Sequence, residues 1–256
     1  MDREPAGSAF DRCVPPLGRN LVPARGRPDA KRSIGRHAVT ALLSGETAAI
    51  CLTSVKTSAL AISVASVTGI PLALWTSSRE FAGKSLLVTV FNTLTALPSV
   101  FVGVLLYTLL SRSGPLGGLG ILYTWPAMSL GQTLLAFPLI VSLTLAALGR
   151  TDVRLRKELT VLGLPAWQSG WILIKEARFG VLAAVVAAFG RIFTEVGSAL
   201  MLGGNIRHAT RTMTTAIAME TSKGEFELGL GLGFLLLAVA LAINIGFHRL
   251  QEAAGS

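Results

Sequence analysis

Arg191 and Glu195 stand four residues apart in GRIFTEVGSALMLGGN, residues 190–205, inside one of the most apolar parts of the chain. That spacing puts both on one face of a helix, where opposite charges can pair. Ionisable groups in an apolar span are costly unless they are paired, solvated or used, and they lean towards function. Two chemistries fit: an ion pair that holds structure, or a gate position on a transport route. The same spans hold a second polar set, Asn92, Thr95, Pro98 and Ser99 in one and Gln132 and Pro138 in the next. Prolines remove a backbone hydrogen bond, and such breaks are tolerated where they pack in protein or line a watery cavity. These six positions suit either a pathway or hydrogen bonding between helices.

A third set lies in TDVRLRKELTVLGLPAWQSGWILIKEARFG, residues 151–180. Leu155, Leu159 and Leu162 recur at helical spacing among Arg154, Lys157 and Glu158, which predicts an amphipathic surface helix. Gly163 ends it and Pro165 prevents its immediate continuation. A second short helix carrying Trp167 and Trp171 then leads back into an apolar span. The elbow, residues 151–172, offers a rigid knob to a soluble partner; a plain interfacial helix is the blander alternative.

Other chemistries lack their residues. No GxxxxGK[ST] phosphate loop occurs. Gly229, Gly231 and Gly233 spell GxGxG, but they open an apolar helix, where Gly229 and Gly233 make a small packing face. His37, His208 and His248 lie in separate segments and form no metal constellation. Cys13 and Cys51 have no CxxC partner.

These groups must be positioned by membrane helices. Of 256 residues, 51% are hydrophobic and 14% charged, well below the quarter charged in a soluble domain; mean hydropathy is +0.61. A crossing takes roughly 20 apolar residues, and five spans are expected at about 57–75, 85–111, 125–149, 177–202 and 228–247. They must be helices, because the runs are too long and unalternating for barrel strands. The fold class is all-α integral membrane, with a permease domain over 47–250. Residues 1–46 hold five prolines and eight Lys or Arg and read as a disordered or peripheral tail.

The net charge of +9 fits loop cations at span ends better than nucleic-acid binding. Nine of those cations fall on the side of the 150–178 loop and five on the other, which makes the loop and the C-terminus cytoplasmic. Five spans then place the basic tail outside. A downstream start, export of the tail, or a re-entrant segment around 38–55 would each resolve that conflict.

The elbow resembles the coupling loop of ABC-importer permeases. It departs from the usual pattern in that Glu158 is followed by Leu159 and Thr160 and stands one position late, so Lys157 takes the expected glutamate place; Glu176 replaces a proline. NTLTALPSVFVGVLLYTLLSRSGPLG (92–117), QTLLAFPLIVSLTLAAL (132–148), KEARFGVLAAVVAAFGRIFTEVGSALMLGGNI (175–206) and TTAIAMETSKGEFELGLGLG (214–233) are similar to the tungstate-type branch of the molybdate/tungstate/sulfate permeases. The resemblance spans about residues 45–250. It implies a type I importer permease in a bacterial or archaeal inner membrane, importing tungstate or, alternatively, molybdate or another oxyanion. It implies a second copy of the chain, a cytoplasmic ATPase dimer that binds ATP and Mg, and an extracytoplasmic oxyanion-binding protein. Gly203, Gly204 and Asn205 are then expected near the docking face for that protein. No cofactor or catalytic residue is expected in this chain. An ATPase-independent channel or secondary transporter is the competing class; it would need more intramembrane ionisable groups than Arg191 and Glu195.

Overall fold

A computed structural model describes residues 45–255. The expected tail lies outside the described residues, apart from Gly45 and Glu46, which are already helical. Among the described residues every regular element is a helix: α1 Gly45–Ser78, α2 Lys84–Leu94, α3 Ser99–Leu110, α4 Trp125–Gly149, α5 Val153–Val161, α6 Ala166–Glu176, α7 Arg178–Phe193, α8 Gly197–Gly203, α9 Met213–Ser222 and α10 Phe226–Gly255.

Three helices are long and apolar enough to cross a membrane unbroken: α1, α4 and α10 over Phe226–Phe247. The expected span 85–111 is not one helix. It is α2 and α3, bent by 96°, and the expected span 177–202 is α7 and α8, bent by 61°. Counting each bent pair as one span gives five. The first break follows from Pro98, whose ring disfavours helical conformation at Leu97. Pro98 itself is extended and heads α3. The second break has no proline; there the Glu195 carboxylate accepts from the Gly197 backbone N–H across the bend.

A re-entrant segment around 38–55 is one of three ways to resolve the position of the tail. Residues 45–55 are the first turns of α1, without a break; 38–44 lie outside the described residues.

α1 and α4 form the central seam. Ala61, Ala65, Gly69 and Ala73 recur every four residues on α1 and are buried, so the two backbones approach closely. A Cβ on Gly69 would lie 3.3 Å from Ile140 Cγ2. Polar stitches cross the seam: the Ser129 hydroxyl donates to the Thr57 carbonyl at 3.2 Å, and the Ser58 hydroxyl to Gln132 Oε1 at 3.3 Å. Pro71 and Pro138 sit within α1 and α4, and both helices continue through them. α10 turns Leu230, Phe234, Leu237, Leu241 and Ile245 outwards. That apolar stripe at helical spacing suits hydrocarbon.

Two markers give α1 its direction. Leu74, near its C-terminal end, packs on Gly170 of α6, where a Cβ would meet Leu74 Cδ2 at 2.6 Å. At its other end, Glu46 pairs with Arg207 at 2.6 Å. The 204–211 turn and the elbow are therefore at opposite ends of α1.

Candidate functional site

The two breaks meet. Gly197 opens α8 directly against the head of α3: a Cβ there would lie 2.8 Å from both Ser99 Oγ and Val100 Cγ2. Further along, Gly103 of α3 faces Ser198 and Met201, and a Cβ on it would lie 3.1 Å from Ser198 Cα. Glycines at both crossings bring α3 and α8 together as one packed pair.

Glu195 builds the second bend. It is 5% exposed and uses both carboxylate oxygens. Oε2 accepts from Arg191 Nη1 at 2.9 Å, and Oε1 accepts from the Gly197 backbone N–H at 2.8 Å. Its carbonyl accepts from the Thr214 hydroxyl at 2.9 Å. One residue thus ties the end of α7, the start of α8 and the start of α9. A carboxylate at a helix start also complements the positive end of the dipole. Arg191 remains 44% exposed on its side chain. The helical rise expected to carry Glu195 stops at Phe193, so Glu195 lies in the bend and not on the helix.

The other polar candidates separate into two kinds. Gln132 is 3% exposed; besides accepting from Ser58, its amide donates to the Ile192 carbonyl at 3.3 Å. It joins α1, α4 and α7, and Pro138 is buried in the same helix. Asn92 and Thr95 are exposed or half-buried at the edge of the bundle. Asn92 Oδ1 accepts from Ser142 at 2.5 Å, and the Thr95 hydroxyl donates back to the Asn92 carbonyl at 2.6 Å. Together with Pro98 and Ser99 they edge the first break.

The elbow forms as two helices, α5 and α6. Gly163 between them has φ +61°, a left-handed conformation that glycine adopts without penalty, and no atom of the described residues would meet a Cβ there. Val161, Leu162, Trp167 and Trp171 are exposed, at 87%, 69%, 72% and 58%. Arg154 and Glu158 are exposed beside them; the side chain of Lys157 lies outside the described residues. Leu159 and Leu173 are buried, packed with Leu148 of α4. One face of the elbow is thus anchored on the bundle, while its turn presents an apolar tip. Behind it, a cavity of about 930 Å³ between α4 and α7 is lined by Arg150, Asp152, Glu176, Ala147, Gly180 and Ala184.

At the opposite end, Gly203 ends α8. Gly204 follows at φ +67° and Asn205 at φ +50°. The two glycines are packing positions: a Cβ on Gly203 would meet Met128 Sδ at 2.5 Å, and one on Gly204 would meet Tyr123 Cδ1 at 2.8 Å. Asn205 donates to Met219 Sδ at 2.9 Å. The surface here is offered mainly by Ile206 to Ala209, which are exposed.

Two features were not foreseen. One is α9, whose start carries a capping box between Thr212 and Thr215; T-x-x-T ahead of an apolar run was the available signal. The other is the pairing of Glu46 with Arg207 and Arg211, residues some 160 positions apart, which no local pattern reveals.

Three unbroken apolar helices and two bent pairs make this a chain built to cross a membrane several times. Residues 65–254 match the family described as binding-protein-dependent transport system inner membrane component, and the chain belongs to that family. It is similar to a probable anion ABC transporter permease protein of Haloferax volcanii, 40% identical over 68% of this chain and 78% of the relative. It is also similar to the tungstate uptake system permease protein TupB of Peptoclostridium acidaminophilum, 36% identical over 79% of this chain and 89% of the relative. The molybdenum transport system permease protein ModB of Haemophilus influenzae is 32% identical over 62% and 75%.

Proposed function

We propose that this chain is the membrane-spanning subunit of an ATP-driven importer for tungstate or a closely related oxyanion. The observation that carries the proposal is the elbow. An apolar tip, Leu162–Gly163 flanked by Val161 and Trp167, stands exposed on a helix pair anchored to α4. Such a tip suits a groove on a separate ATPase dimer that binds ATP and Mg. The permeases named for tungstate, molybdenum and anions supply the substrate class.

The elbow end is cytoplasmic in this reading, as is the C-terminus, and the 204–211 turn faces an extracytoplasmic oxyanion-binding protein. A second copy of the chain completes the pathway. Closure of the ATPase dimer pushes the elbow, and α6 passes that movement to α1 through the Leu74–Gly170 contact and to α7 through their shared junction at Ala177. α7 leads to the bend at Glu195, and so to α8 and the α3 head packed on it. Each transmitting contact is close-packed, and packed interfaces shift between discrete states more readily than they deform continuously.

The test is affinity purification of the tagged chain from its own membranes, followed by uptake competition with tungstate, molybdate and sulfate. An ATPase subunit should co-purify, and tungstate or molybdate should compete best. Purification without any ATPase, or uptake indifferent to all three oxyanions, would overturn the proposal.

A further inference from the structure

The end of the molecule remote from the elbow holds a charged cleft, two of whose walls, Arg207 and Arg211, belong to the 204–211 turn. Its volume is about 400 Å³; its polar walls are Glu46, Thr47, Arg207, Arg211, Glu220 and Lys223, with Met219 among the apolar ones. Arg207 grips Glu46 as a fork: Nε donates to Oε1 at 2.7 Å and Nη2 to Oε2 at 2.6 Å. Arg211 reaches the same carboxylate less well, with Nη1 3.5 Å from Oε1. Its side chain is only 13% exposed. Among the described residues its Nη2 contacts Met219 Sδ at 3.4 Å, and its buried Nε has no hydrogen-bond partner. Lys223 is occupied by Glu220 at 2.9 Å.

A half-buried guanidinium with a poor acceptor and a buried, idle Nε–H is an incompletely satisfied group. The turn holds it in place: the backbone N–H of Arg211 donates to the Ile206 carbonyl at 3.0 Å, and the Ile206 N–H to the Thr210 hydroxyl at 3.0 Å. Two guanidiniums around one carboxylate carry one positive charge too many. The planar fork that fits a carboxylate also fits a tetrahedral oxyanion. With Glu46 withdrawn, Arg207 and Arg211 would present two uncompensated charges, the match for a dianion. Glu46 lies ahead of the seam with α4 and its side chain is 27% exposed, so its carboxylate can leave the arginines by a change of rotamer.

We propose that this cleft is an outer binding site for a tetrahedral dianion of the tungstate class, occupied by the Glu46 carboxylate when the dianion is absent. The proposal rests on the oxyanion reading above. Glu46 competes for the two arginines and so keeps the site weak enough to release what it binds; without that carboxylate, the paired guanidiniums would hold a dianion firmly.

The test is equilibrium dialysis of the purified full chain against tungstate, with bound tungsten counted by elemental analysis. Glu46→Gln should bind tungstate about tenfold more tightly than the unaltered chain, the worth of roughly one charge-assisted hydrogen bond. Glu46→Gln combined with Arg207→Gln should lose that gain, and Arg207 is exposed enough for the substitution to be tolerated. Arg211→Lys should bind more tightly than Arg211→Gln. Unchanged affinity in Glu46→Gln, or a gain that survives loss of Arg207, would overturn the proposal. If the intact complex imports tungstate while these variants bind alike, the site falls and the import function stands. If the variants differ as expected but no oxyanion is imported, the function falls and the site stands.

Discussion

Gly197 and Ser99 join the two broken spans at their breaks: a methyl group on the glycine would stand 2.8 Å from the serine hydroxyl. Neither break is an isolated irregularity, because each is the packing surface of the other. Gly197→Ala forces the Val100 side chain and the α3 backbone to move, and overpacking of this kind costs about 1–3 kcal/mol. Thermal unfolding in detergent should show a lowered Tm, partly restored in Gly197→Ala, Val100→Ala. An unchanged Tm in the single variant would mean that the breaks separate freely.

Arg191 and Glu195 are expected to act on the bend. Arg191→Ala leaves a carboxylate that is 5% exposed facing only the Gly197 N–H, and loss of one partner of a buried group costs roughly 1–3 kcal/mol. Arg191→Ala, Glu195→Gln removes the stranded charge and keeps an acceptor for Gly197. It should be more stable than Arg191→Ala alone and should retain uptake. Abolished uptake in a stable double variant would instead assign the pair to the gate.

Gln132 tests whether the polar residues of α4 serve packing. Gln132→Leu removes the bonds to Ser58 and Ile192. Such interhelical bonds are worth about 0.6 kcal/mol on average in membrane proteins, so the Tm should fall slightly and transport persist. A strong selective loss of uptake at unchanged Tm would place Gln132 on the pathway.

Trp167 tests the elbow without disturbing the fold. It is 72% exposed, so Trp167→Ala costs little stability. Burial of its ring in a partner groove would be worth about 2–3 kcal/mol. Retention of the ATPase subunit on the tagged chain should drop sharply, and full retention would remove Trp167 from that interface.

The helical fold class was legible because uncharged runs near 20 residues have few alternatives. The elbow was legible too, because Gly163 and Pro165 punctuate a periodic stretch. What hydropathy missed was the interruption of two spans. Leu97 and Phe193 are as apolar as their neighbours, so a sum over a window passes through both breaks. Pro98 stands at a break, but Pro71 and Pro138 lie in helices that continue through them, so proline alone does not mark a break. At 194–196 the bend depends on a carboxylate receiving one N–H ahead and one guanidinium behind, a three-dimensional fact. The cleft at Glu46 is invisible for a different reason: Glu46 and Arg207 lie 161 positions apart.

In the proposed function the Leu162–Gly163 tip couples ATP hydrolysis to oxyanion movement. The direct measurement is paired ATP hydrolysis and tungstate accumulation by the chain and its ATPase in proteoliposomes, comparing the unaltered chain with Gly163→Glu. A side chain at φ +61° strains the turn by about 1–2 kcal/mol and sets a charge on the apolar tip, yet meets no atom of the described residues. Coupling through the tip predicts intact insertion, continued hydrolysis and lost accumulation. Full accumulation in Gly163→Glu, or tungstate flux through the chain with no ATPase present, would contradict it.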